Sequence, residues 1–241
     1  MFAGIGVLVL ALVGAVATVV LVNRDSSNSA AGDTTPSMVS ALTTENASPT
    51  SPRPSSRPTT TGRPTTPAAV IPGYQVVVLS ENGAAYDVPS DWQVDKTTAA
   101  LGSGSDSLPV AGVAQDGLAY CPNYVRTNMF LTQSDEMDPE RAAADVTTRM
   151  ITIGYTTSTD SNPGAAEAFE TSNGKLEGVF VETTGNAPAP SPGCASTYSI
   201  YAFAFPGESG AFVLTIAADT GVDKAVTKDF AKQLMATLRP I

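Results

Sequence analysis

The sequence predicts an α+β fold, in which an antiparallel β-sheet of about 6–8 strands carries two packed helices. One transmembrane helix and a disordered linker are expected to precede this domain. Short β-like runs bounded by turn residues fill the distal two thirds of the chain, and two windows of helical periodicity interrupt them. An uncharged apolar segment and a Pro/Thr/Ser-rich stretch come before the first of these runs.

The composition excludes several classes of function. The chain of 241 residues has 13 basic and 23 acidic residues, a net charge of −10 and no His. Because His is the commonest general base and the commonest metal ligand, its absence argues against many catalytic and metal sites. The acidic balance argues against nucleic-acid binding. We therefore predict no catalytic residues, no metal site and no cofactor.

Residues 2–22 are predicted to form an uncleaved transmembrane helix. They carry no charge, and Thr18 is their one polar residue. At about 1.5 Å of rise per residue such a helix spans a hydrocarbon core of about 30 Å. The alternative is a cleaved signal peptide, which has a shorter apolar region and a basic stretch before it. Residues 15–17 resemble a cleavage triplet, but no basic stretch precedes the apolar run.

Residues 23–72 are predicted to be a disordered linker. They contain eight of the 18 prolines and no Trp, Tyr or Phe, so they cannot bury enough apolar surface to offset their ordering entropy. Three arginines in Arg-Pro context, at positions 53, 57 and 63, are interpreted as part of a solvated spacer. Attraction to an anionic envelope polymer or lipid is the alternative. Beyond this linker nine basic and 20 acidic residues remain, a net charge of −11 for residues 73–241.

Residues 73–241 are predicted to form one extracytoplasmic α+β domain. Asn82-Gly83, Asn173-Gly174 and residues 206–210 are turn signals between strands, and residues 89–91 suit a short hairpin connection. The predicted strands are 74–79, 85–88, 92–94, 110–114, 124–132, 165–171, 176–183, 198–205 and 211–217.

The first predicted helix begins at Asp138-Pro139-Glu140. Asp is a good N-cap, Pro suits the first helical position, and the acid favours the positive end of the helix dipole. Its apolar stripe ends near Gly154, which can terminate the helix. The stripe consists of Ala142, Ala143, Val146 and Met150.

The second helix is predicted over residues 222–238, where apolar residues recur every four positions and Pro240 stops the helix. Three lysines at positions 224, 228 and 232 form a stripe of their own. We interpret this stripe as a solvated face, the usual place of lysine.

Cys121 and Cys194 are the only cysteines, and both lie in loop-like sequence. We predict a disulfide bond between them, which fits an exported domain and would pin the Pro-rich loop 187–193. Closing a loop of about 70 residues stabilises a fold by about 4 kcal/mol in the chain-entropy model. The alternatives are a nucleophile, which here lacks an activating His, and a metal pair, which two thiolates do not complete.

Other chemistry-bearing residues give weaker signals. Residues 160–164 faintly resemble a calcium loop but are interpreted as a turn, because the pattern is incomplete. The Ser172-x-x-Lys175 string falls on a predicted hairpin without its accompanying motifs. Trp92, the single Trp, is expected in the core. An acidic cluster is interpreted as a helix N-terminus; it consists of Asp135, Glu136, Asp138 and Glu140.

Two short motifs carry a resemblance to a known class of proteins. Tyr86-x-Val88-Pro89-x-x-Trp92 and the closing residues 236–240 resemble exported, membrane-anchored actinobacterial envelope domains of unknown function. Their layout is similar to the PsbP-like fold, and the resemblance covers about residues 74–241. It implies a binding or accessory module and supplies no functional residues.

The leading hypothesis is therefore a non-enzymatic binding or accessory module of the cell envelope. It would be a single-pass protein of the cell membrane, anchored through residues 2–22 with its C-terminal domain outside. Its expected partner is an unidentified envelope protein or polymer, and not nucleic acid. Two alternatives remain: a carboxylate-based hydrolase with two acids in a cleft, and a lipid or small-ligand carrier with a large apolar cavity.

Overall fold

The computed structural model describes residues 67–241. The predicted transmembrane helix at 2–22 and the linker up to residue 66 lie outside the described residues. Within residues 67–241, no helix is both long enough and apolar enough to span a bilayer. The described part is a mostly antiparallel β-sheet fold with two α-helices, which confirms the α+β class.

The largest sheet has eight strands in the order β3-β6-β7-β12-β11-β10-β8, and β9 pairs with β10. A separate three-stranded sheet has the order β1-β2-β13, and β4 pairs with β5. The strands are β1 (Tyr74–Leu79), β2 (Ala84–Pro89), β3 (Gln93–Asp95), β4 (Ala100–Leu101), β5 (Leu108–Pro109), β6 (Ala111–Cys121), β7 (Tyr124–Ser134), β8 (Asp160–Pro163), β9 (Glu167–Glu170), β10 (Glu177–Asn186), β11 (Thr197–Gly207), β12 (Gly210–Thr220) and β13 (Arg239–Pro240).

Two hydrophobic cores lie on opposite faces of the main sheet. On one face, Met129 and Leu214 pack against the three-stranded sheet and the second helix. On the other face, Phe130 and Val213 pack against the first helix. This alternation follows from strand geometry, in which successive side chains point to opposite faces. The central strands β7, β11 and β12 are therefore buried on both sides.

Helix α1 (Pro139–Gly154) confirms the first predicted helix. The Asp138 carboxylate accepts a hydrogen bond from the Arg141 N–H at 3.0 Å, so the predicted N-cap is present. The predicted apolar stripe, from Ala142 to Met150, is buried against the main sheet. Tyr155 follows directly after the last helical residue and is the C-cap of the helix.

Helix α2 (Lys228–Met235) is much shorter than predicted. The periodic pattern from residue 222 is misleading, because Thr227 is the N-cap and accepts a hydrogen bond from the Phe230 N–H at 3.3 Å. Lys224 has a positive φ of 61°, which no α-helix tolerates. The Val226 carbonyl accepts a hydrogen bond from the Tyr201 hydroxyl at 3.1 Å. The helix also ends before Pro240, which lies in β13.

The predicted hairpins between β9 and β10 and between β11 and β12 are confirmed. The hairpin predicted across residues 89–91 is wrong, since β2 pairs with β1 and β13 while β3 pairs with β6. Residues 160–164 were predicted as a turn, but Asp160–Pro163 form the edge strand β8 on β10. Each error concerns a partner distant in sequence, which local turn signals do not encode.

Trp92 packs in the core as predicted, at 6% exposure. Tyr86, of the same motif, is fully buried, and burial raises its pKa. Its hydroxyl hydrogen-bonds the carbonyl oxygens of Gly112 and Met129. The motif around Tyr86 thus ties the small sheet to β6 and β7.

Candidate functional site

A groove lies at the end of the main sheet, just beyond the last residue of α1. It consists of two cavities of about 280 and 220 Å³, which share Tyr124, Gly154, Tyr155 and Asp219. We call these two cavities together the tyrosine groove. The remaining lining residues of the larger cavity are Thr156, Thr157, Ala187, Pro188, Ala189, Pro190, Ala195, Ser196, Thr197 and Tyr198.

The Tyr155 and Tyr198 rings form one wall of the groove. Their centroids are 4.0 Å apart and their planes are inclined by 14°, so the rings are stacked. Tyr198 is buried, and its hydroxyl lies 2.7 Å from the Ser158 hydroxyl. Gly185, on the neighbouring strand β10, leaves the space that the Tyr198 ring occupies. The stack is therefore held from behind by β10 and the loop after α1.

Asp219 lies near the end of β12 and lines both cavities. The Tyr120 hydroxyl donates a hydrogen bond to its carboxylate, and Tyr155 lines both cavities with it. Burial raises the pKa of Asp219 above its ordinary value, against the opposing effect of the two tyrosine hydroxyls. Burial likewise raises the pKa values of Tyr120 and Tyr155, so both remain neutral hydrogen-bond donors.

Tyr120 reaches Asp219 because β6 is irregular near its end. The register of β6 on β7 shifts between Leu118 and Cys121, and Ala119 has a positive φ of 54°. Such irregularities turn a side chain away from its regular direction. Here the side chain of Tyr120 crosses β7 to meet a residue of β12, a contact that a regular strand would not make.

The predicted disulfide joins Cys121 to Cys194, with a Cα–Cα distance of 5.3 Å across a sequence separation of 73. It holds the loop 187–196, which forms the outer wall of the groove. The Ala195 N–H donates a hydrogen bond to the Tyr120 hydroxyl at 3.1 Å. The bridge does not join neighbouring strands, since β7 and β12 lie between β6, which ends at Cys121, and β11, which follows Cys194. It instead crosses the end of the sheet and fixes the loop beside Tyr120.

Arg126 is the charged neighbour of the tyrosine cluster. Its guanidinium lies 2.6 Å from the Asp116 carboxylate and 5.8 Å from the centre of the Tyr120 ring. The side chains of Arg126 and Asp116 are only 10% and 17% exposed. The charge of Arg126 is thus already paired, and within residues 67–241 Asp219 has no ion-pair partner.

The smaller cavity also has a polar side. The Gln115 amide donates a hydrogen bond to the Asn128 side-chain oxygen at 2.8 Å. Both residues line this cavity opposite the end of α1. The groove therefore combines aromatic rings, one carboxylate, amides and hydroxyls.

The other residues considered from sequence lie away from the groove. Asp160 accepts hydrogen bonds from Asn186 at the edge of the sheet. Ser172 and Lys175 lie in the turn between β9 and β10. In the described part of the chain, no group of three or more Cys, Asp or Glu residues is arranged to hold a metal ion.

Two of the three lysines interpreted as a solvated face form specific contacts instead. The ammonium groups of Lys228 and Lys232 each lie 2.5 Å from an oxygen of Glu167. They also lie 5.7 and 4.8 Å from the centre of the buried Phe180 ring. Hydrogen bonds from both lysines lower the pKa of Glu167 to about 2. This cluster fastens α2 to β9 and β10.

A wider depression of about 1120 Å³ lies against the small sheet. It is lined by Val76, Val78, Val94 and Ile241, and it also borders Pro67, the first described residue. None of the described residues that line it has a pKa raised by burial, unlike Asp219 in the tyrosine groove. We therefore take the tyrosine groove, which is bounded on several sides by described residues, as the candidate site.

No sequence motif reveals the groove residues or Tyr120, which lies beside the groove. Tyr120, Tyr155, Tyr198 and Asp219 are far apart in sequence and form no recognisable motif. One signal was available, because Asp219 follows nine consecutive buried residues of β12. A charged residue directly after such a run marks a position where the sheet meets solvent or a ligand.

Comparison with known proteins adds little about function. A protein of Bacteroides thetaiotaomicron VPI-5482 is 12% identical with a TM-score of 0.33; the match covers 66% of this chain, which spans about half (46%) of that protein. The cyanobacterial PsbP (CyanoP) of Synechocystis sp. PCC 6803 is 14% identical with a TM-score of 0.40, over 75% of this chain and 100% of that one. No curated protein matches the chain.

A family model described as "Domain of unknown function (DUF8017)" matches residues 67–241. These are the same residues that the structure describes as one α+β domain. The chain therefore belongs to the DUF8017 family of domains of unknown function.

Proposed function

We propose that this protein is a non-enzymatic binding module of the cell envelope, held in the cell membrane by residues 2–22. The linker of residues 23–72 would carry the domain on the extracytoplasmic side. The uncharged N-terminal segment and the Pro/Thr/Ser-rich stretch support this arrangement. The Cys121–Cys194 bridge supports it as well, since disulfides persist in oxidising compartments.

The tyrosine groove is the proposed binding site. The main observation behind this proposal is that the Asp219 carboxylate lies among tyrosine rings. Ligand sites in proteins combine a concave aromatic or apolar wall with a few placed polar groups. A carboxyl whose pKa is raised by burial in a cleft is a further mark of such sites. The partner would be an envelope protein or polymer that presents a short segment to the groove.

The alternatives receive less support from the same geometry. A carboxylate-based hydrolase needs two acids close together, whereas Asp219 is the one carboxylate among the described residues that line the groove. A lipid carrier needs a large apolar space between sheet and helix, but those layers are filled by the two hydrophobic cores.

Photo-crosslinking in living cells tests the proposed site. Tyr124 is 45% exposed at the mouth of the groove and suits replacement by benzoylphenylalanine. We expect discrete crosslinked species from position 124. The matched control is the same replacement at Asn173, in the exposed turn between β9 and β10. Equal crosslinking from both positions, or none from position 124, would contradict a binding role for the groove.

The proposed location is tested separately. Protease added to intact spheroplasts should remove the domain while cytoplasmic marker proteins stay intact. Survival of the domain until the cells are lysed would place it inside the cell and contradict the proposed orientation.

A further inference from the structure

Among the described residues, no Lys or Arg pairs with the Asp219 carboxylate, and the groove around it is suited to a cation. Its neighbours Tyr120 and Tyr155 are neutral hydrogen-bond donors, and the nearby Arg126 is paired to Asp116. Among the described residues that line either cavity of the groove, none is a Lys or an Arg. A positively charged ligand group would therefore meet an uncompensated negative charge.

The aromatic walls suit a cation as well. Tyr155 lines both cavities, is stacked on Tyr198 and lies beside Asp219. The faces of aromatic rings attract cations, and a planar guanidinium stacks on them. Guanidinium also matches a carboxylate with parallel hydrogen bonds, which a compact ammonium does not. The combination of a ring face and a carboxylate favours arginine over lysine.

Further acceptors surround the larger cavity. The side chains of Thr156, Thr157 and Ser196 line it and carry hydroxyl oxygens. A guanidinium has five N–H donors and no acceptor, so a site for it must offer several oxygens. The groove supplies these around its one carboxylate.

The size of the groove indicates what kind of molecule the cationic group belongs to. The larger cavity, of about 280 Å³, lies at the lower limit for pockets that hold whole small molecules. The smaller cavity, of about 220 Å³, adjoins it, because Tyr155 and Asp219 line both. One cavity accommodates a side chain, and the adjoining cavity leaves room for the residues that flank it in a peptide.

The net charge of the whole domain also favours a cationic ligand. Residues 73–241 carry nine basic and 20 acidic residues, a net charge of −11. Such a field raises the local concentration of cationic partners and speeds their association.

From these observations we propose that the tyrosine groove binds an arginine side chain of an extended partner peptide. The guanidinium pairs with Asp219 and stacks on Tyr155, and the peptide backbone continues past the smaller cavity. This inference rests on the proposed function and specifies the chemistry of the ligand at the same site.

Calorimetric titration of the full-length protein in nanodiscs tests the inference. The probe is the neutral-ended pentapeptide Ac-Gly-Ala-Arg-Ala-Gly-NH₂, and its uncharged control carries citrulline, the isostere of arginine. We expect the arginine peptide to bind at least about tenfold more tightly than the citrulline peptide, since a desolvated cation–π contact and a charged hydrogen bond each contribute on that scale. Its affinity should also fall as salt is raised.

Asp219→Asn should weaken arginine-peptide binding at least about tenfold by removing the paired charge. Asp223→Asn is the matched control: it removes the same charge from an exposed position outside the groove and should leave the affinity within about twofold. Near-ultraviolet circular dichroism would check that both variants keep the tyrosine packing.

Three results would overturn the arginine assignment. These are equal affinity for the citrulline peptide, unchanged affinity in Asp219→Asn, and tighter binding of a neutral oligosaccharide that does not depend on Asp219. Loss of the arginine assignment would not by itself contradict the groove as a binding site. If crosslinks still form from position 124, the groove binds a ligand of different chemistry.

Discussion

Asp87 and Arg239 form a buried ion pair between β2 and β13, with the guanidinium nitrogen 2.9 Å from the carboxylate oxygen. The Asp87 side chain is 0% exposed and that of Arg239 is 12% exposed. The second carboxylate oxygen accepts hydrogen bonds from the N–H groups of Val70 and Ile71. One carboxylate therefore fastens the start of the described chain to its end, at the point where the predicted linker enters the domain.

Asp87→Ala is expected to lower the free energy of unfolding by about 3–5 kcal/mol. Removing one partner leaves Arg239 buried without its counter-charge and the two N–H groups without an acceptor. Urea denaturation monitored by the fluorescence of the buried Trp92 measures the change. Hydrogen exchange at residues 70 and 71 should also become faster.

The matched control for Asp87 is the exposed ion pair of Arg141 and Glu136. The Arg141 Nε lies 3.4 Å from the Glu136 carboxylate, and the two side chains are 71% and 44% exposed. Glu136→Gln should change the unfolding free energy by less than about 1 kcal/mol, as is usual for exposed ion pairs. Similar effects of Asp87→Ala and Glu136→Gln would contradict the role assigned to the buried pair.

The elements of the fold that sequence predicts are those with local causes. The N-cap at Asp138 and the left-handed Gly83, at φ 63°, are properties of a few neighbouring residues. Helix α2 was predicted too long because an apolar face at four-residue spacing continues through Val226, which packs in the core without being helical. The partner of β3 depends on a strand about 20 residues away, which no local pattern specifies.

The disulfide could be predicted because two cysteines allow only one intramolecular pairing. The tyrosine groove could not, because its members come from β6, β7, β11, β12, the end of α1 and the loops around them. Tyr120 reaches Asp219 only through an irregularity in β6, across an intervening strand. Such a contact depends on the register of the whole sheet, which follows from tertiary packing.

Replacing Cys121 and Cys194 together by Ser should lower the free energy of unfolding by about 2–5 kcal/mol. The loop that closes the groove would lose its covalent link to Tyr120 and its neighbours. Equilibrium denaturation with and without reductant measures the loss. The reductant should destabilise the wild-type protein and leave the double variant unchanged. A wild-type protein insensitive to reductant would contradict a stabilising bridge.

Gly185→Ala should destabilise the domain by about 1–3 kcal/mol and disturb the Tyr155–Tyr198 stack. A Cβ at Gly185 would overlap the Tyr198 ring and would lie 2.7 Å from the Asp160 carbonyl oxygen. Thermal unfolding and the near-ultraviolet tyrosine signal measure the two effects. Gly154→Ala is the control, since its Cβ would meet the Met150 methyl group at 3.4 Å. Equal stability of both variants would contradict the close approach at Gly185.

Glu167→Gln should remove part of the acid sensitivity of the protein. Hydrogen bonds from Lys228 and Lys232 hold the pKa of Glu167 at about 2, below its ordinary value of 4.5. A depressed folded-state pKa contributes stability above pH 4.5 that is lost as the pH falls toward 2. The stability difference between wild type and Glu167→Gln should therefore shrink over this range. Glu208→Gln is the control, because Glu208 lies in the exposed turn between β11 and β12 and forms no ion pair among the described residues.

Asp219→Asn should have the opposite pH dependence, because the pKa of Asp219 is raised above its ordinary value of 3.8. Burial is the main cause, and the hydroxyls of Tyr120 and Tyr155 oppose it. A raised folded-state pKa means that the folded protein binds a proton more readily than the unfolded chain. The wild type should therefore gain stability relative to Asp219→Asn as the pH is lowered toward 3.8 from above. Urea titrations of both proteins across this range measure the difference, and a gain with rising pH would contradict a raised pKa for Asp219 in the folded protein.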